Sequence, residues 1–175
     1  MAVQCSLISH ADTPAGADIS LSVVAVREGD RLTLRYLVTG ETGRLRYPET
    51  AFAARADGLW QATCFEAFVR THDHAGYHEF NFSPSLQWAS YFFDDYRSSM
   101  REAPIVPTVT IDDGEGRYEL QAVLDLPGDE AWTLGISAVI EEVDGRKSYW
   151  ALAHPPGKPD FHHSDCFVLK LPAAV

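Results

Sequence analysis

The sequence predicts an all-β fold, a single antiparallel β-sandwich of the jelly-roll or immunoglobulin-like kind, with about ten strands and at most one short helix. Two observations support this prediction. Apolar and polar residues alternate with a period of two in several segments, as side chains do on the two faces of a strand. Turn signals separate these segments at short intervals. The length of 175 residues fits one domain, which we expect to span residues 1–175.

The alternation assigns strands along most of the chain. Residues 31–38 alternate after the turn Glu28-Gly29-Asp30, which follows the β-branched run Ile19–Val26 and predicts a hairpin. Asp144-Gly145 predicts a second tight turn, because glycine tolerates the positive φ that such turns need. The other predicted strands are Val3–Ser9, Cys64–Thr71, Tyr77–Phe82, Gln87–Phe93, Val106–Ile111, Tyr118–Leu124, Trp132–Ile140, Lys147–Leu152 and Cys166–Leu171.

Helical signals are almost absent. Only residues 94–102, DDYRSSMRE, are compatible with a short helix, and Pro104 and Pro107 prevent it from continuing. The sequence contains neither GxGxxG nor GxxxxGK[ST], so a nucleotide-binding α/β fold is not predicted.

Composition and charge exclude several classes of partner. The 14 Lys and Arg residues stand against 25 Asp and Glu, a formal net charge of -11, which argues against nucleic acid and anionic membranes. The three cysteines, Cys5, Cys64 and Cys166, never form CxxC, so we expect reduced, buried thiols. The N-terminal residues do not resemble a secretory signal, and no apolar run is long enough to cross a membrane. The expected location is therefore the cytoplasm.

Polar and aromatic residues concentrate in three segments. In residues 58–69, Glu66 is the one charge within an apolar strand, and it faces either solvent or a partner. In residues 77–88, alternation gives Glu79 and Asn81 the face opposite Phe80 and Phe82. Since the phenylalanines belong in the core, we expect the row of Glu79 and Asn81 to face outward.

The third segment, residues 149–167, is a proline-rich loop that follows a strand. Its prolines restrict the backbone, so His154, Lys158, Asp160 and His162 can be held in place. The histidines invite a metal interpretation, but no HExxH or regular His-x-His-carboxylate pattern occurs, and no metal site is predicted. A second group, His72, His74 and His78, spans a predicted loop, where we expect solvated side chains.

The residue types in these segments suit a sugar. Pyranose C–H faces stack on Trp and Tyr rings, and sugar hydroxyls pair with carboxylate, amide and guanidinium groups. Glu79 and Asn81 are followed closely by Tyr91, Tyr96 and Arg97, which supply these groups. The alternative is a solvated sheet face with structural tyrosines.

A resemblance to a known family is carried by three segments: LWQATCFEAFV, EFNFSPSLQWASYFFDDYR and IEEVDGRKSYWALAHPPGKPDFHHSDCFVLKL. They resemble the bacterial DOMON-like domain, which is related to the family 9 carbohydrate-binding modules, from about Leu59 to Leu171. The resemblance implies a β-sandwich whose relatives either hold a sugar between aromatic rings or hold haem b through Met and His or Met and Lys. The sugar use implies these ligand-binding residues: Trp60, Glu66, Glu79, Asn81, Trp88, Arg97, Trp150 and His162.

The haem use implies Met100 as an axial ligand, paired with His154, His162 or Lys158. Covalent attachment is excluded because the chain has no CxxCH. The leading hypothesis is nevertheless a non-catalytic domain, without a cofactor, that binds a small carbohydrate-like ligand such as a sugar, a sugar nucleotide or a cell-wall precursor.

Three alternatives stay open. The first is a redox domain that binds haem b non-covalently. The second is a protein-interaction domain whose aromatic face contacts a protein partner. The third is an enzyme that uses the carboxyl groups of Glu66 and Glu79 together with His162. Convergence of Trp60, Trp88 and Trp150 on one cleft, with Glu79 and Arg97 between them, would support a binding site, whereas rings dispersed through the core would support a structural role.

Overall fold

The structure is a computed structural model that describes residues 2–71, 75–126 and 128–173. Within these residues the chain forms twelve strands and three single turns of 3-10 helix. The strands are β1 (Ala2–Ser9), β2 (Ile19–Glu28), β3 (Arg31–Gly40), β4 (Cys64–Thr71), β5 (Tyr77–Phe82), β6 (Trp88–Phe93), β7 (Arg101–Glu102), β8 (Thr108–Gly114), β9 (Arg117–Asp125), β10 (Trp132–Glu141), β11 (Lys147–Ala151) and β12 (Leu169–Leu171). The 3-10 turns are Thr42–Arg44, Leu59–Gln61 and Ser164–Cys166.

The strands pair antiparallel in two sheets. The first sheet has the order β1-β2-β3-β9-β8, and the second has the order β7-β6-β5-β4-β10-β11 with β12 also paired to β10. Strand β1 joins them, because its residues up to Leu7 pair with β2 while Ile8 and Ser9 pair with β11. This arrangement confirms the predicted antiparallel β-sandwich.

The main core lies between the two sheets. Val23 and Leu34 from the first sheet and Phe65, Phe80 and Leu134 from the second are all buried in one cluster. Fully burying side chains of this size contributes about 1.5–3 kcal/mol each relative to exposure. One polar contact also joins the sheets, because the Tyr36 hydroxyl donates to the carbonyl of Glu66 at 2.8 Å.

A smaller cluster lies on the other face of the second sheet. The loop after β11 covers part of that face, and its Phe161, Cys166 and Phe167 pack with Phe68 and Tyr77. The approach of this loop to β10 explains a glycine there. A Cβ on Gly135 would lie 3.2 Å from the Cys166 carbonyl oxygen, tighter than ordinary contact.

Two sequence predictions are wrong at the level of single elements. Residues 94–102 form a tight turn leading into β7 instead of a helix, because Arg97 and Ser99 adopt φ of 49° and 54°, outside the right-handed helical region. The last strand begins at Leu169 instead of Cys166, since residues 164–166 turn in a 3-10 helix. The His163 side chain stabilises that turn by accepting a hydrogen bond from the Asp165 amide.

Helices in the described parts of the chain are single turns, and none has the length and apolar character needed to cross a membrane.

Candidate functional site

The second sheet carries a cavity of about 880 Å³ on the face that points away from the first sheet. Side chains of β4, β5, β6, β10 and β11 form its floor, and the loops before β4, after β6 and after β11 form its walls. Its lining residues are Asp57, Gly58, Trp60, Gln61, Glu66, Phe68, Glu79, Tyr91, Phe93, Arg97, Met100, Val139, Tyr149, Pro159, Phe161 and His162.

Strand register explains which side chains reach the floor. Glu66 pairs with Asn81 on one side and Ser137 on the other, which places three polar residues in one row across three strands. In the next row, Glu79 lies between Phe68 and Tyr91. Directly paired residues share a face, so both rows point toward the cavity side of the sheet.

The floor holds two buried carboxyl groups. Glu66 is 3% exposed and Glu79 is 7% exposed. Ser137 Oγ donates to Glu66 Oε2 at 3.2 Å, and Asn81 Nδ2 donates to Glu79 Oε1 at 3.0 Å. The expectation that the row of Glu79 and Asn81 faces outward is therefore wrong in one respect. The row does point away from the main core, but the walls of the cavity bury it.

Burial, together with the charge of Glu79, raises the pKa of Glu66 to about 8. Burial also raises the pKa of Glu79, although the hydrogen bond from Asn81 and the charge of Arg97 oppose the change. Ionising two adjacent carboxyl groups in a site shielded from water is unfavourable in free energy, because the two negative charges repel each other. At neutral pH, Glu66 therefore keeps a proton.

One buried hydrogen-bond acceptor in the floor has no donor in the part of the chain that the structure describes. Asn81 is 1% exposed, and its buried Oδ1 atom has no hydrogen-bond partner among the described residues. Beside it, Ser137 Oγ donates to Oε2 of Glu66. Unpaired buried acceptors are costly, and in a native site they are the usual places for a ligand or an ordered water.

His162 stands beside Glu79 at the end of a hydrogen-bond chain. The Arg97 amide donates to the Tyr77 hydroxyl oxygen at 3.2 Å, and that hydroxyl lies 2.8 Å from His162 Nδ1. Burial and the charge of Arg97 lower the pKa of His162 to about 4, so the ring is neutral. Tyr77 therefore donates to Nδ1, and Nε2 carries the hydrogen, 3.5 Å from Glu79 Oε2.

Arg97 is anchored at the wall by the loop after β11. Its guanidinium donates to Asp160 Oδ1 at 2.8 Å, and the Tyr96 hydroxyl donates to Oδ2 of the same carboxylate. Burial opposes ionisation of Asp160, but the hydrogen bonds from Tyr96 and Arg97 outweigh it and lower its pKa. The Asp160 carboxylate also accepts from the His162 amide at 3.2 Å, so the same group positions Arg97 and His162.

The rim carries an exposed tryptophan. Trp60 is 53% exposed and lies in the 3-10 turn Leu59–Gln61, which the left-handed Gly58 introduces with φ of 71°. Nearby, Asp57 accepts hydrogen bonds from Arg55 at 2.8 Å and from the Tyr91 hydroxyl. Trp60 thus presents an accessible ring at the mouth of the cavity.

Six of the eight predicted ligand-binding residues lie together at the cavity. Five of them line it, namely Trp60, Glu66, Glu79, Arg97 and His162. The sixth, Asn81, is not a lining residue but pairs directly with Glu66 in the sheet below.

Trp88 and Trp150 do not join them. Trp88 pairs with Phe82, and Trp150 pairs with Ala138, so both indoles share the face of residues in the main core. The three tryptophans therefore do not converge on one cleft, because alternation turns the side chains of Trp88 and Trp150 to the opposite face. Trp150 is 7% exposed, and its indole N–H donates to Ser148 Oγ at 2.8 Å.

Several lining residues were not named as site residues from the sequence: Asp57, Gly58, Gln61, Phe68, Phe93, Val139, Tyr149, Pro159 and Phe161. Alternation was a usable signal for some of them. Phe68 is two residues from Glu66, and Tyr149 is the neighbour of Trp150 on the other face. Asp57 and Pro159 lie in loops, for which no periodicity predicts the direction of a side chain.

The candidate haem ligands are not arranged for haem b. Met100 lines the cavity, but exposed Lys158 does not, and His154 Nε2 lies 2.8 Å from the Ile8 carbonyl oxygen. The remaining candidate, His162, has one ring nitrogen against Tyr77 and the other toward Glu79. Non-covalent haem needs an apolar slot with free axial ligands, and a floor with two buried carboxyl groups does not fit it.

The histidine groups show no metal arrangement in the part of the chain that the structure describes. Over residues 2–71, 75–126 and 128–173, no three His, Cys, Asp or Glu side chains are placed to hold a metal ion. His72 and His74 lie outside the described residues. His78 is on β5, where its ring stacks on Phe80 at 5.8 Å.

Comparison with known proteins identifies the fold. No family model matches the sequence, and no curated protein matches it. A solved structure from Bacteroides uniformis, described as a candidate carbohydrate-binding protein, has a TM-score of 0.68 at 14% identity and covers 97% of this chain and 84% of its own. A family 9 carbohydrate-binding module from Caldicellulosiruptor kristjanssonii, solved with cellotriose, has a TM-score of 0.57 at 9% identity. The match covers 96% of this chain and 82% of that module.

These likenesses establish a fold of the family 9 module type for this chain. At such low identity they show the fold alone, and function has to be argued from the site. The resemblance to the bacterial DOMON-like domain stays a prediction.

Proposed function

We propose that this protein is a non-catalytic domain that binds a small carbohydrate-like ligand in the cavity above Glu66 and Glu79. The observation that carries the proposal is the combination of accessible aromatic rings with an unpaired polar acceptor on one sheet face. A sugar, a sugar nucleotide and a cell-wall precursor all have the matching chemistry.

The apolar part of the cavity suits the C–H face of a pyranose. Trp60, Tyr91 and Tyr149 all line it, and rings of this kind stack on the carbon faces of sugars. The cavity of about 880 Å³ lies within the range of roughly 300–1,000 Å³ that is typical of small-molecule sites.

The polar part of the cavity suits sugar hydroxyls. A hydroxyl both donates and accepts. Glu66 in the floor offers acceptor oxygens, and Arg97 and His162 in the walls offer donors. Satisfying an acceptor that is otherwise unpaired makes its hydrogen bond more favourable than one formed at the protein surface.

The structural comparisons support the same class of ligand. One of the similar structures is a family 9 carbohydrate-binding module solved in complex with cellotriose. The shared fold raises the expectation of a sugar ligand, and the residues named above come from this chain alone.

The test is calorimetric titration of the purified protein with glucose, cello-oligosaccharides and sugar nucleotides. We expect saturable binding that Trp60→Ala weakens at least tenfold, since stacked aromatic rings are typical binding hot spots, worth roughly 2 kcal/mol or more. The matched control is Phe52→Ala, because Phe52 is 93% exposed and does not line the cavity. Absence of binding to every sugar class by the folded protein contradicts the proposal.

A carboxylate-based enzyme is a second candidate, supported by one observation. Glu66, with its pKa raised to about 8, is a proton donor at neutral pH, and Glu79 lies diagonally across from it on the next strand. Product analysis after prolonged incubation of the protein with a bound oligosaccharide separates the two candidates. Turnover that Glu79→Gln abolishes would establish the enzyme and contradict the non-catalytic proposal.

A further inference from the structure

The lining of the cavity has more acidic than basic side chains. Its lining contains three carboxyl groups, Asp57, Glu66 and Glu79, and one guanidinium, that of Arg97. Arg97 is already paired with Asp160 at 2.8 Å, and Asp57 is paired with Arg55 at 2.8 Å.

The two carboxyl groups of the floor, unlike Asp57, are not paired with a cationic side chain among the residues that the structure describes. Within the described residues, Glu66 makes no ion pair, and the one contact of Glu79 of this kind is with the neutral ring of His162 at 3.5 Å. The floor therefore lacks a cation of its own.

The same floor has fewer hydrogen-bond donors than acceptors. Ser137 and Asn81 each supply one donor, to Glu66 Oε2 and Glu79 Oε1. Asn81 Oδ1 remains unpaired among the described residues, although Asn81 is 1% exposed. Asn81 pairs directly with Glu66 on the neighbouring strand, so the unpaired amide oxygen belongs to the same small region as the carboxyls. A buried amide oxygen that the fold does not satisfy is an observation independent of the carboxyl pair, and it too points to a missing donor.

We propose that the ligand of this cavity carries a primary ammonium group, which binds between Glu66, Glu79 and Asn81, so that the preferred ligand is an amino sugar. This inference rests on the proposed function and narrows its ligand class. An ammonium group has three N–H donors and a positive charge, whereas a sugar hydroxyl has one donor and no charge. The ammonium group therefore supplies both the positive charge and the additional hydrogen-bond donors that the floor needs.

The aromatic residues of the floor fit the same group. Phe68 and Tyr91 flank Glu79 in one row, Phe93 also lines the cavity, and aromatic faces attract a desolvated cation. The ligand-free protein has a substitute, because the proton that Glu66 keeps can be shared with a neighbouring acceptor. When the ammonium binds, that proton is released to solvent and the ionised carboxylate pairs with the ligand.

The experiment compares three β-1,4-linked trisaccharides that differ only in the substituent at C2 of each ring: the glucose trimer, the glucosamine trimer and the N-acetylglucosamine trimer. Affinities are measured by calorimetry at about pH 6, below the usual pKa of an amine. We expect the glucosamine trimer to bind roughly tenfold or more tightly than the glucose trimer, since charge-assisted hydrogen bonds are about twice as strong as neutral ones. The uncharged N-acetyl trimer is expected to show no such preference.

Two variants locate the ammonium. In Glu66→Gln and Glu79→Gln, the ratio of glucosamine to glucose affinity is expected to fall toward one. Asp125→Asn is the matched control, because it removes one negative charge at an exposed position of the first sheet, where Asp125 pairs with Arg31. Thermal melts of each variant check that it is folded.

Every outcome decides the inference. Equal or weaker binding of the glucosamine trimer overturns it while leaving the proposed function intact. A preference that persists in both Glu→Gln variants also overturns it, since the ammonium then binds elsewhere. Failure of all three trisaccharides, together with the other sugars tested above, overturns the proposed function and the inference with it.

Discussion

Glu66 on β4 and Asn81 on β5 lie directly opposite each other, both buried, on the face of the second sheet that points away from the main core. Such a row of polar groups is costly under an apolar layer and is tolerated where a ligand or a proton completes it. The predictions below follow from this row and from the loops that cover it.

Glu66 should make the protein less stable as pH rises. Its pKa is about 8 in the folded protein and 4.5 in an unperturbed chain, so between these values the unfolded state loses a proton that the folded state keeps. The free energy of unfolding therefore falls across this window, and the penalty is complete above about pH 8. In Glu66→Gln the free energy of unfolding should decline much less with pH. At alkaline pH it should exceed that of the wild type by several kcal/mol.

The measurement is urea unfolding of wild type and Glu66→Gln from about pH 5 to pH 9, with Asp125→Asn as the control for net charge. Parallel curves for Glu66→Gln and the wild type would show that Glu66 ionises normally in the fold.

His162 should remain neutral throughout the physiological range. Burial lowers its pKa to about 4, and the Tyr77 hydroxyl fixes the tautomer with hydrogen on Nε2. Nitrogen-15 NMR of the imidazole should show this tautomer and no titration above about pH 5. In Tyr77→Phe the Nδ1 atom loses its donor, so the tautomer should change and the stability should fall by about 1–3 kcal/mol. A His162 signal that titrates near its ordinary pKa would contradict this geometry.

Asp160 should hold the loop after β11 in place more than it stabilises the whole fold. Its partner Arg97 is half-exposed, and exposed ion pairs contribute only about 0–1 kcal/mol. Asp160→Asn is therefore expected to change global stability little. It should, however, accelerate amide hydrogen exchange in residues 159–163, because Asp160 also accepts from the His162 amide. Unchanged exchange in this segment would show that the carboxylate is dispensable for positioning the loop.

The tryptophans should separate into binding and structural roles. Trp150→Ala removes a side chain from the main core and should destabilise the protein by about 3–5 kcal/mol. Trp60→Ala alters a half-exposed side chain and should cost less than about 1 kcal/mol of stability while weakening sugar binding. Thermal unfolding and calorimetric titration of both variants check this contrast. A large loss of stability in Trp60→Ala would make its role structural.

Alternation along the chain predicted the strands well because side-chain direction is local information. The bounds of Cys64–Thr71 and Tyr77–Phe82 agree with the structure, and so does the shared face of Glu79 and Asn81. Trp150 was named as a ligand-binding residue, but it faces the main core and its neighbour Tyr149 lines the cavity, as alternation along the strand would indicate.

Burial of the site depended on contacts that are distant in sequence. Whether Glu66 faces solvent is decided by the loop after β11, which packs on β4 and β5 some hundred residues away from it. The pairing of Arg97 with Asp160 spans 63 residues, and the turn that presents Arg97 has positive φ at two non-glycine residues. Local patterns carry no signal for either feature, which is why the sequence left a short helix possible at residues 94–102.

The central claim, that the cavity above Glu66 and Glu79 binds a sugar, is tested most directly by NMR titration of the isotope-labelled protein with cellotriose and the glucosamine trimer. We predict saturable shift changes at the Trp60 indole N–H and at amides of β4, β5 and β6, with the first sheet unaffected. Shift changes confined to the first sheet, or no change at saturating sugar, would contradict the account.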